Sequence, residues 1–184
     1  MPIRAAEPDC FPGNLLDEVA FADEARRWWA AYTLPRQEKS LARQLNAMQV
    51  PFYLPLVSQV RMVGRRRQKS LLPVFSSYVF LFAGDEERIE ALGTNRIAHM
   101  FAARDSQGLT RDLCRVRRLI ASGEPLTIES RLQAGQHVRV KNGSLMGVEG
   151  TIVERRGEDR LLVAVEFLQQ GVSILISDYQ VEPV

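Results

Sequence analysis

The most constraining feature of this sequence is a change of pattern near residue 134. Before it, apolar residues recur at helical spacing in several segments; after it, short alternating segments are separated by glycines. Four or five short strands with glycine punctuation, within about 50 residues, are typical of a small antiparallel barrel. Residues 134–184 are therefore predicted to form an all-β barrel domain.

The region before this change mixes strand and helix signals. Strands are predicted at residues 28–34, 52–57, 59–63, 71–83 and 97–103, and helices near Pro35, Asp85 and Thr110. The order β-α-β-β-β-α-β-α predicts an α+β domain over residues 26–123, with helices packed on a sheet. The basic cluster 64–69 lies at the tip of a predicted hairpin. Residues 124–133 lack periodicity and are predicted to be a linker, and residues 1–25 an acidic, flexible leader.

The positive charge of the chain is concentrated in its middle. Residues 26–124 carry 17 Lys and Arg against eight acidic residues, whereas residues 1–25 have a net charge of −5 and residues 125–184 of −2. Such a block favours a surface that meets a polyanion or an acidic protein. The cations are nearly all arginine, which suits phosphate recognition. A GC-rich genome would produce the same excess, so both explanations stay open.

Residue types that carry catalysis or bind metals form no recognisable motif. The two histidines, His99 and His137, fall in different predicted domains, and Cys10 and Cys114 lack metal-ligand spacing. There is no P-loop, nucleophile elbow, dinucleotide glycine motif or HExxH sequence. We therefore expect a protein that is not an enzyme, binds no cofactor and holds no metal.

Membrane insertion and export are not expected. The longest uncharged apolar-rich stretch, Leu71 to Gly84, has 14 residues, and a transmembrane helix needs about 20. The N-terminus has no apolar segment of the signal-peptide type. The sequence thus predicts a cytoplasmic protein without a membrane partner.

One aromatic residue is singled out as an interface candidate. Aromatic side chains crowd the first domain, and an uncovered apolar face would mark a protein interface. Phe75 lies between Pro73 and the pair Ser76 and Ser77, which interrupt regular strand pairing. Its ring is therefore expected to point outward rather than into the core.

Two stretches resemble a known family. The segment WWAAYTLPRQEKSLARQL, with the hairpin and PVFSSYVFLF after it, resembles the N-terminal (NGN) domain of NusG-type transcription elongation factors. The segment GQHVRVKNGSLMGVEGTIVERRG resembles the KOW motif of their C-terminal barrel. The resemblance covers residues 28–184, and the Pro-Val-Phe-x-x-Tyr segment looks closer to RfaH-like specialised paralogues.

This resemblance implies a bacterial transcription antitermination factor that binds the β′ clamp helices of RNA polymerase and contacts DNA near the transcription bubble. Its polymerase-binding pocket would comprise Tyr32, Pro55, Phe75, Tyr78 and Phe80. Five cations are expected to contact nucleic acid or an acidic partner: Arg65, Arg66, Arg67, Lys69 and Arg96. The KOW barrel would recruit a small-subunit ribosomal protein or Rho through Phe167, Leu168, Ile174 and Ile176.

Several alternatives stay open. The basic cluster could be a solvated hairpin tip. Ser76 and Ser77 replace the Pro-Gly or Pro-Asn pair that is usual in the family, which leaves the turn geometry undetermined. The C-terminal domain of RfaH can become helical, but the β-branched residues here favour a stable barrel. A KOW protein that binds RNA or the ribosome is the competing function, although a net charge of −2 in this region argues against it.

Overall fold

The computed structural model describes residues 7–19, 25–64 and 66–184. The chain divides into two compact units, Met1–Gln107 and Gly108–Val184. The sequence predicted this boundary further on, in the segment 124–133. The structural division instead assigns all but the first two residues of the helix Ser106–Ser122 to the C-terminal unit. Among the described residues, no helix is long and apolar enough to cross a membrane.

The N-terminal unit contains a five-stranded sheet and a separate hairpin. Its elements are β1 (Cys10–Phe11), β2 (Arg27–Thr33), α1 (Glu38–Ala47), β3 (Phe52–Tyr53), β4 (Leu56–Val63), β5 (Arg66–Pro73), β6 (Tyr78–Ala83), α2 (Asp85–Gly93) and β7 (Ile97–Ala102). The sheet is antiparallel with the order β1-β3-β6-β2-β7. The hairpin is formed by the antiparallel strands β4 and β5.

The core of this unit lies between the sheet and its helices. Leu41, Ala42 and Leu45 of α1 are fully buried, at the spacing that places them on one helix face, and Ala91 of α2 joins the same cluster. The sheet contributes buried residues such as Leu81. The mixture of helices and strands predicted for this region is therefore confirmed.

Two details of the N-terminal unit differ from the prediction. The predicted strand 71–83 is two strands, because a turn at residues 74–77 separates the end of the hairpin from central strand β6. The predicted flexible leader lies in part outside the described residues. Its described part pairs β1 with β3, and buries Leu15 and Leu16 in a short π-helical turn.

The C-terminal unit holds a six-stranded antiparallel sheet. Its elements are α3 (Ser106–Ser122, which begins at the end of the N-terminal unit), β8 (Thr127–Glu129), β9 (Gln136–Val140), β10 (Glu149–Arg155), β11 (Glu158–Val165), β12 (Gln170–Leu175) and β13 (Val181–Pro183). The strand order is β13-β9-β10-β11-β12-β8. The predicted short strands are confirmed. The outer strands β13 and β8 are not paired with each other in the described part of the chain, so the predicted closure into a barrel is not seen.

The segment predicted as a linker carries a strand of this sheet. Residues 127–129 form β8 and pair with β12, for example Ile128 with Val172. A three-residue strand is too short to produce a periodic signal, which is why the sequence pattern missed it. This pairing ties part of the segment 124–133 to the C-terminal unit.

Polar contacts of α3 explain why it belongs with the second unit. Arg115 Nη2 donates to Glu149 Oε2 at 2.5 Å, and Arg118 Nη2 donates to the Met146 carbonyl oxygen at 2.5 Å. Asp112 Oδ2 accepts a hydrogen bond from the Glu166 backbone N–H at 3.1 Å. Two arginines and one carboxylate of α3 are thus hydrogen-bonded to residues of the C-terminal unit outside the helix.

Candidate functional site

The N-terminal sheet has an aromatic face opposite to the core described above. The register pairs Trp28 with Phe82, and Tyr32 with Tyr78, so these side chains share one face. Trp28 and Phe82 are fully buried and their ring centroids lie 5.4 Å apart. The aromatic residues therefore continue along this face from a buried region to the end that carries Tyr32.

An exposed group of rings, which we call the aromatic patch, occupies that end of the face. It consists of Tyr32, Tyr78, His99 and Phe101. Tyr32 is 38% exposed and meets Tyr78 edge to face at 5.2 Å, while His99 pairs opposite Tyr32 across to β7. Phe101 is 48% exposed and lies 6.2 Å from His99. A patch of exposed rings on the surface of a sheet is typical of a protein-binding surface.

Tyr78 supplies the patch with a polar group. Burial, and then the neighbouring Tyr32, raises the pKa of the Tyr78 phenol above its ordinary value of 10.0. The phenol therefore keeps its proton at neutral pH and serves as a hydrogen-bond donor beside the apolar rings. Such an amphipathic ring suits a binding surface that is partly wet.

Three of the five residues assigned to the polymerase pocket are buried. Phe75 is 1% exposed and packs edge to face on Phe80 at 6.1 Å, and Phe80 and Pro55 are buried as well. The expectation that Phe75 points outward is wrong, because the turn at 74–77 folds its ring inward instead of presenting it. The exposed members of the set are Tyr32 and, in part, Tyr78; sequence reasoning missed Phe101 and the position of His99, which depend on strand pairing.

The turn that buries Phe75 has a defined geometry in spite of its unusual sequence. Ser77 adopts a left-handed conformation with φ of 66°, which glycine and asparagine adopt more readily than serine does. Its backbone N–H donates to Glu38 Oε1 at 2.7 Å, and its carbonyl accepts from the Thr33 N–H at 2.7 Å. The buried carboxylate of Glu38 thereby holds the turn against α1, and the Thr33 N–H holds it against β2.

The predicted basic cluster lies on the hairpin, although mostly in a strand and not in the tip. Arg66, Arg67 and Lys69 are exposed on β5, and Arg65 lies outside the described residues. The register places Lys69 opposite Val60 and Arg67 opposite Met62. Because Val60 and Met62 are also exposed, one face of the hairpin combines cations with apolar side chains.

The fifth predicted cation has a different environment. Arg96 Nη1 donates to Gln37 Oε1 at 2.6 Å and Nε donates to Gln44 Oε1 at 3.1 Å. Both acceptors are neutral side chains at α1, and Arg96 is only half-buried. Arg96 therefore links β7 to α1, and the structure does not bring it together with the cations of the hairpin.

The four residues of the C-terminal unit that were predicted to bind a partner differ in how far they are buried. Phe167 and Leu168 are half-buried in a 3-10 turn after β11, and Ile176 is half-buried after β12. Ile174 is fully buried, whereas its neighbour Leu175 is 40% exposed. Because side chains alternate along a strand, Ile174 does not contribute to the surface and Leu175 does.

Metal-binding chemistry has no candidate in the part of the chain that the structure describes. No group of three or more His, Cys, Asp and Glu residues there could hold an ion. His137 lies on β9 of the C-terminal sheet, and His99 belongs to the aromatic patch.

A comparison with protein families decides what kind of protein this is. The family model described as "Transcription termination factor nusG" matches residues 26–132, more than half of the chain. The chain belongs to the NusG family. It is therefore a NusG-family transcription factor, and this is a non-enzymatic family whose members bind RNA polymerase. A search of curated proteins found no match.

The family match places the aromatic patch and the hairpin inside the shared region. It begins just before β2, covers both helices of the N-terminal unit, and continues through α3 and β8. The remaining strands of the C-terminal sheet lie outside it. Most of the match therefore lies in the N-terminal unit, which carries the aromatic patch and the hairpin.

Proposed function

We propose that this protein is a transcription elongation regulator that binds the β′ clamp helices of RNA polymerase through the aromatic patch. The observation that carries the proposal is the exposure of Tyr32 and Phe101 on one face of the sheet, inside the region matched by the NusG family. Exposed aromatic side chains are the commonest anchors of protein interfaces. Binding there would favour processive, antiterminated elongation, as in the RfaH-like paralogues that the sequence resembles.

The hairpin is proposed to contact DNA near the transcription bubble. Arg67 and Lys69 are exposed on one face of β5 and Arg66 on the other, and exposed cations attract a phosphate backbone without reading its sequence. The exposed Val60 and Met62 on the adjacent strand add apolar contact area. The hairpin would therefore strengthen binding to the elongation complex in a salt-dependent manner.

The C-terminal sheet is proposed to be a KOW-type module that recruits a second partner, a small-subunit ribosomal protein or Rho. Its support is the resemblance of the β9 and β10 region to the KOW motif, together with the exposed apolar side chains of Leu175 on β12 and Ile128 on β8, which lie on opposite faces of the sheet. Apolar side chains beside β12 and β8 suit a protein partner. The net charge of −2 over residues 125–184 argues against the competing function, a KOW protein that binds RNA or the ribosome.

The proposed function is tested by substitution within the aromatic patch. We expect Tyr32→Ala to weaken binding of the full-length protein to a β′ clamp-helix fragment at least about tenfold, since a truncated aromatic anchor costs about 2 kcal/mol or more. Fluorescence anisotropy with a labelled fragment measures the dissociation constant. Ile89→Ala is the control, because Ile89 is an exposed apolar residue on α2 that does not belong to the patch.

Two outcomes separate this proposal from its alternatives. Equal loss of binding in both variants would indicate a nonspecific apolar effect, and unchanged binding of Tyr32→Ala would remove the patch from the interface. A second experiment addresses the hairpin: replacing Arg66, Arg67 and Lys69 with Ser is expected to reduce the salt dependence of binding to an elongation complex. An unchanged salt slope would leave the hairpin as a solvated surface.

A further inference from the structure

A small pocket in the C-terminal sheet takes no part in the function proposed above. It has a volume of about 200 Å³ and is lined by Thr127, Arg155, Arg156, Glu158 and Arg160. Clefts that hold drug-sized molecules are larger, about 300–1,000 Å³. The pocket is therefore suited to a small ligand, and three of its five lining residues carry a positive charge.

Arg160 is a buried cation whose hydrogen-bond acceptors are all neutral. It is 8% exposed; Nε donates to Ser173 Oγ at 2.9 Å, and Nη2 donates to Thr127 Oγ1 at 2.9 Å and to the Ser173 carbonyl at 3.1 Å. Within the described residues, Nη1 has no acceptor. A buried guanidinium is costly unless a negative charge compensates for it, so this arrangement favours an anion at the pocket.

The nearest carboxylate is occupied by other donors. Both oxygens of Glu129 accept from Arg155 Nη1 at 2.8 Å, and Glu129 Oε1 also accepts from Ser173 Oγ at 2.7 Å. Glu129 reaches Arg160 through the Ser173 hydroxyl and not directly. Three arginines against the carboxylates of Glu129 and Glu158 leave an excess of positive charge at the pocket.

An unusual turn supplies the third arginine. Arg155 pairs with Glu158, so Arg156 and Gly157 form the two-residue turn between β10 and β11, with φ of 56° and 77°. Positive φ at both positions is the geometry that favours Asn-Gly, and a left-handed conformation is unfavourable for arginine. Strained residues of this kind are concentrated at functional sites, and this one lines the pocket.

We propose that this pocket binds a phosphate group, held by Arg156 and by the Nη1 side of Arg160. Guanidinium groups match the oxygens of phosphate with paired N–H donors, and a tetrahedral anion with several acceptors satisfies two arginines at once. The phosphate is part of either a small free phosphate compound or the backbone of a nucleic acid. This inference does not depend on polymerase binding, because every residue in it belongs to the C-terminal unit.

The test uses the full-length protein and inorganic phosphate at constant ionic strength. Titration followed through the arginine Nε–H resonances is expected to show saturable shifts of Arg156 and Arg160. Arg156→Asn is expected to weaken binding at least about tenfold while the melting temperature stays equal or rises, because Asn-Gly is the preferred pair for this turn. Loss of binding in this variant therefore does not result from unfolding.

The matched control is Lys141→Gln, which removes one positive charge from an exposed position near the end of β9. It is expected to keep the affinity of the parent protein. Absence of a saturable shift, equal affinity in Arg156→Asn, or equal loss in Lys141→Gln would overturn the proposal. Competition between phosphate and a short single-stranded RNA would assign the site to a nucleic-acid backbone, and its absence would assign it to a free phosphate compound; both results support a phosphate site.

Discussion

Both sheets of this protein bury apolar side chains, and the C-terminal sheet also buries a hydrogen-bonded polar cluster. In the N-terminal sheet, rings such as Trp28, Phe80 and Phe82 are fully buried. In the C-terminal sheet, the cluster of Glu129, Arg160 and Ser173 is buried through hydrogen bonds among its members. Apolar burial needs only close packing, whereas buried polar groups need partners at defined positions.

This difference shows how each sheet can recognise a ligand. Where rings leave the core at the end of the N-terminal sheet, they form the aromatic patch, which suits an apolar protein surface. Where the polar cluster reaches the surface of the C-terminal sheet, it presents arginines already held in place. The following predictions test the contrast, beginning with the largest expected effect on stability.

The first prediction concerns the apolar sheet. Phe75→Ala is expected to lower the free energy of unfolding by about 3–5 kcal/mol, because it leaves a cavity beside Phe80. Tyr32→Ala, at the exposed end, is expected to cost less than about 1.5 kcal/mol, the value of a lost edge-to-face contact. Denaturant unfolding measures both. Loss of polymerase binding by Phe75→Ala with unchanged stability would contradict the inward position of this ring.

The second prediction concerns a buried carboxyl in the C-terminal unit. Burial, opposed by the Glu166 N–H and by Arg115, raises the pKa of Asp112 from 3.8 to about 6. The folded state therefore binds the proton more tightly than the unfolded state, and stability contributed by this group is present below about pH 4 and lost as the pH rises through 6. The loss amounts to as much as about 3 kcal/mol at 1.36 kcal/mol per pKa unit.

The variant Asp112→Asn isolates this effect. Its amide oxygen can still accept from the Glu166 N–H, but it has no charge to desolvate. We expect the variant to lose the decline in stability between pH 4 and pH 7 and to be more stable than the parent at pH 7. Thermal unfolding across this pH range measures the slope. An identical slope in both proteins would show that Asp112 is not the titrating group.

The third prediction concerns the turn that holds Phe75. Ser77→Gly is expected to stabilise the protein by about 1 kcal/mol, because it relieves the left-handed conformation of a residue with a Cβ. The N–H that donates to Glu38 is retained. Ser76→Gly serves as the control, since the left-handed residue is its neighbour. A rise in melting temperature for Ser77→Gly alone is the expected result.

The smallest expected effect on stability is at the hairpin. Replacing Arg66, Arg67 and Lys69 with Ser is expected to change the free energy of unfolding by no more than about 0.5 kcal/mol per site, as for surface positions generally. Denaturant unfolding at two salt concentrations checks this. A large loss would indicate that these cations stabilise the hairpin instead of being available for a ligand.

The sequence by itself determined the types of the elements and the family. Helical spacing at Leu41 and Leu45, and the glycine-separated alternation after residue 134, are local patterns that each element carries within its own residues. The turn between Val74 and Tyr78 shows the limit of this information. Ser76 and Ser77 indicated that regular strand pairing is interrupted here. The sequence of so short a segment does not determine whether the ring of Phe75 is buried or exposed.

Tertiary structure decided which residues meet. The aromatic patch brings together Tyr32 and Phe101, which lie on different strands. The pocket proposed to bind phosphate brings together Thr127 with Arg156 and Arg160, which lie about 30 residues further along the chain. Register determines such pairs, and a shift of one residue moves every side chain to the other face. The same rule buries Ile174 and exposes Leu175. Periodicity reports that one side of a strand is apolar, and pairing with other strands decides what covers it.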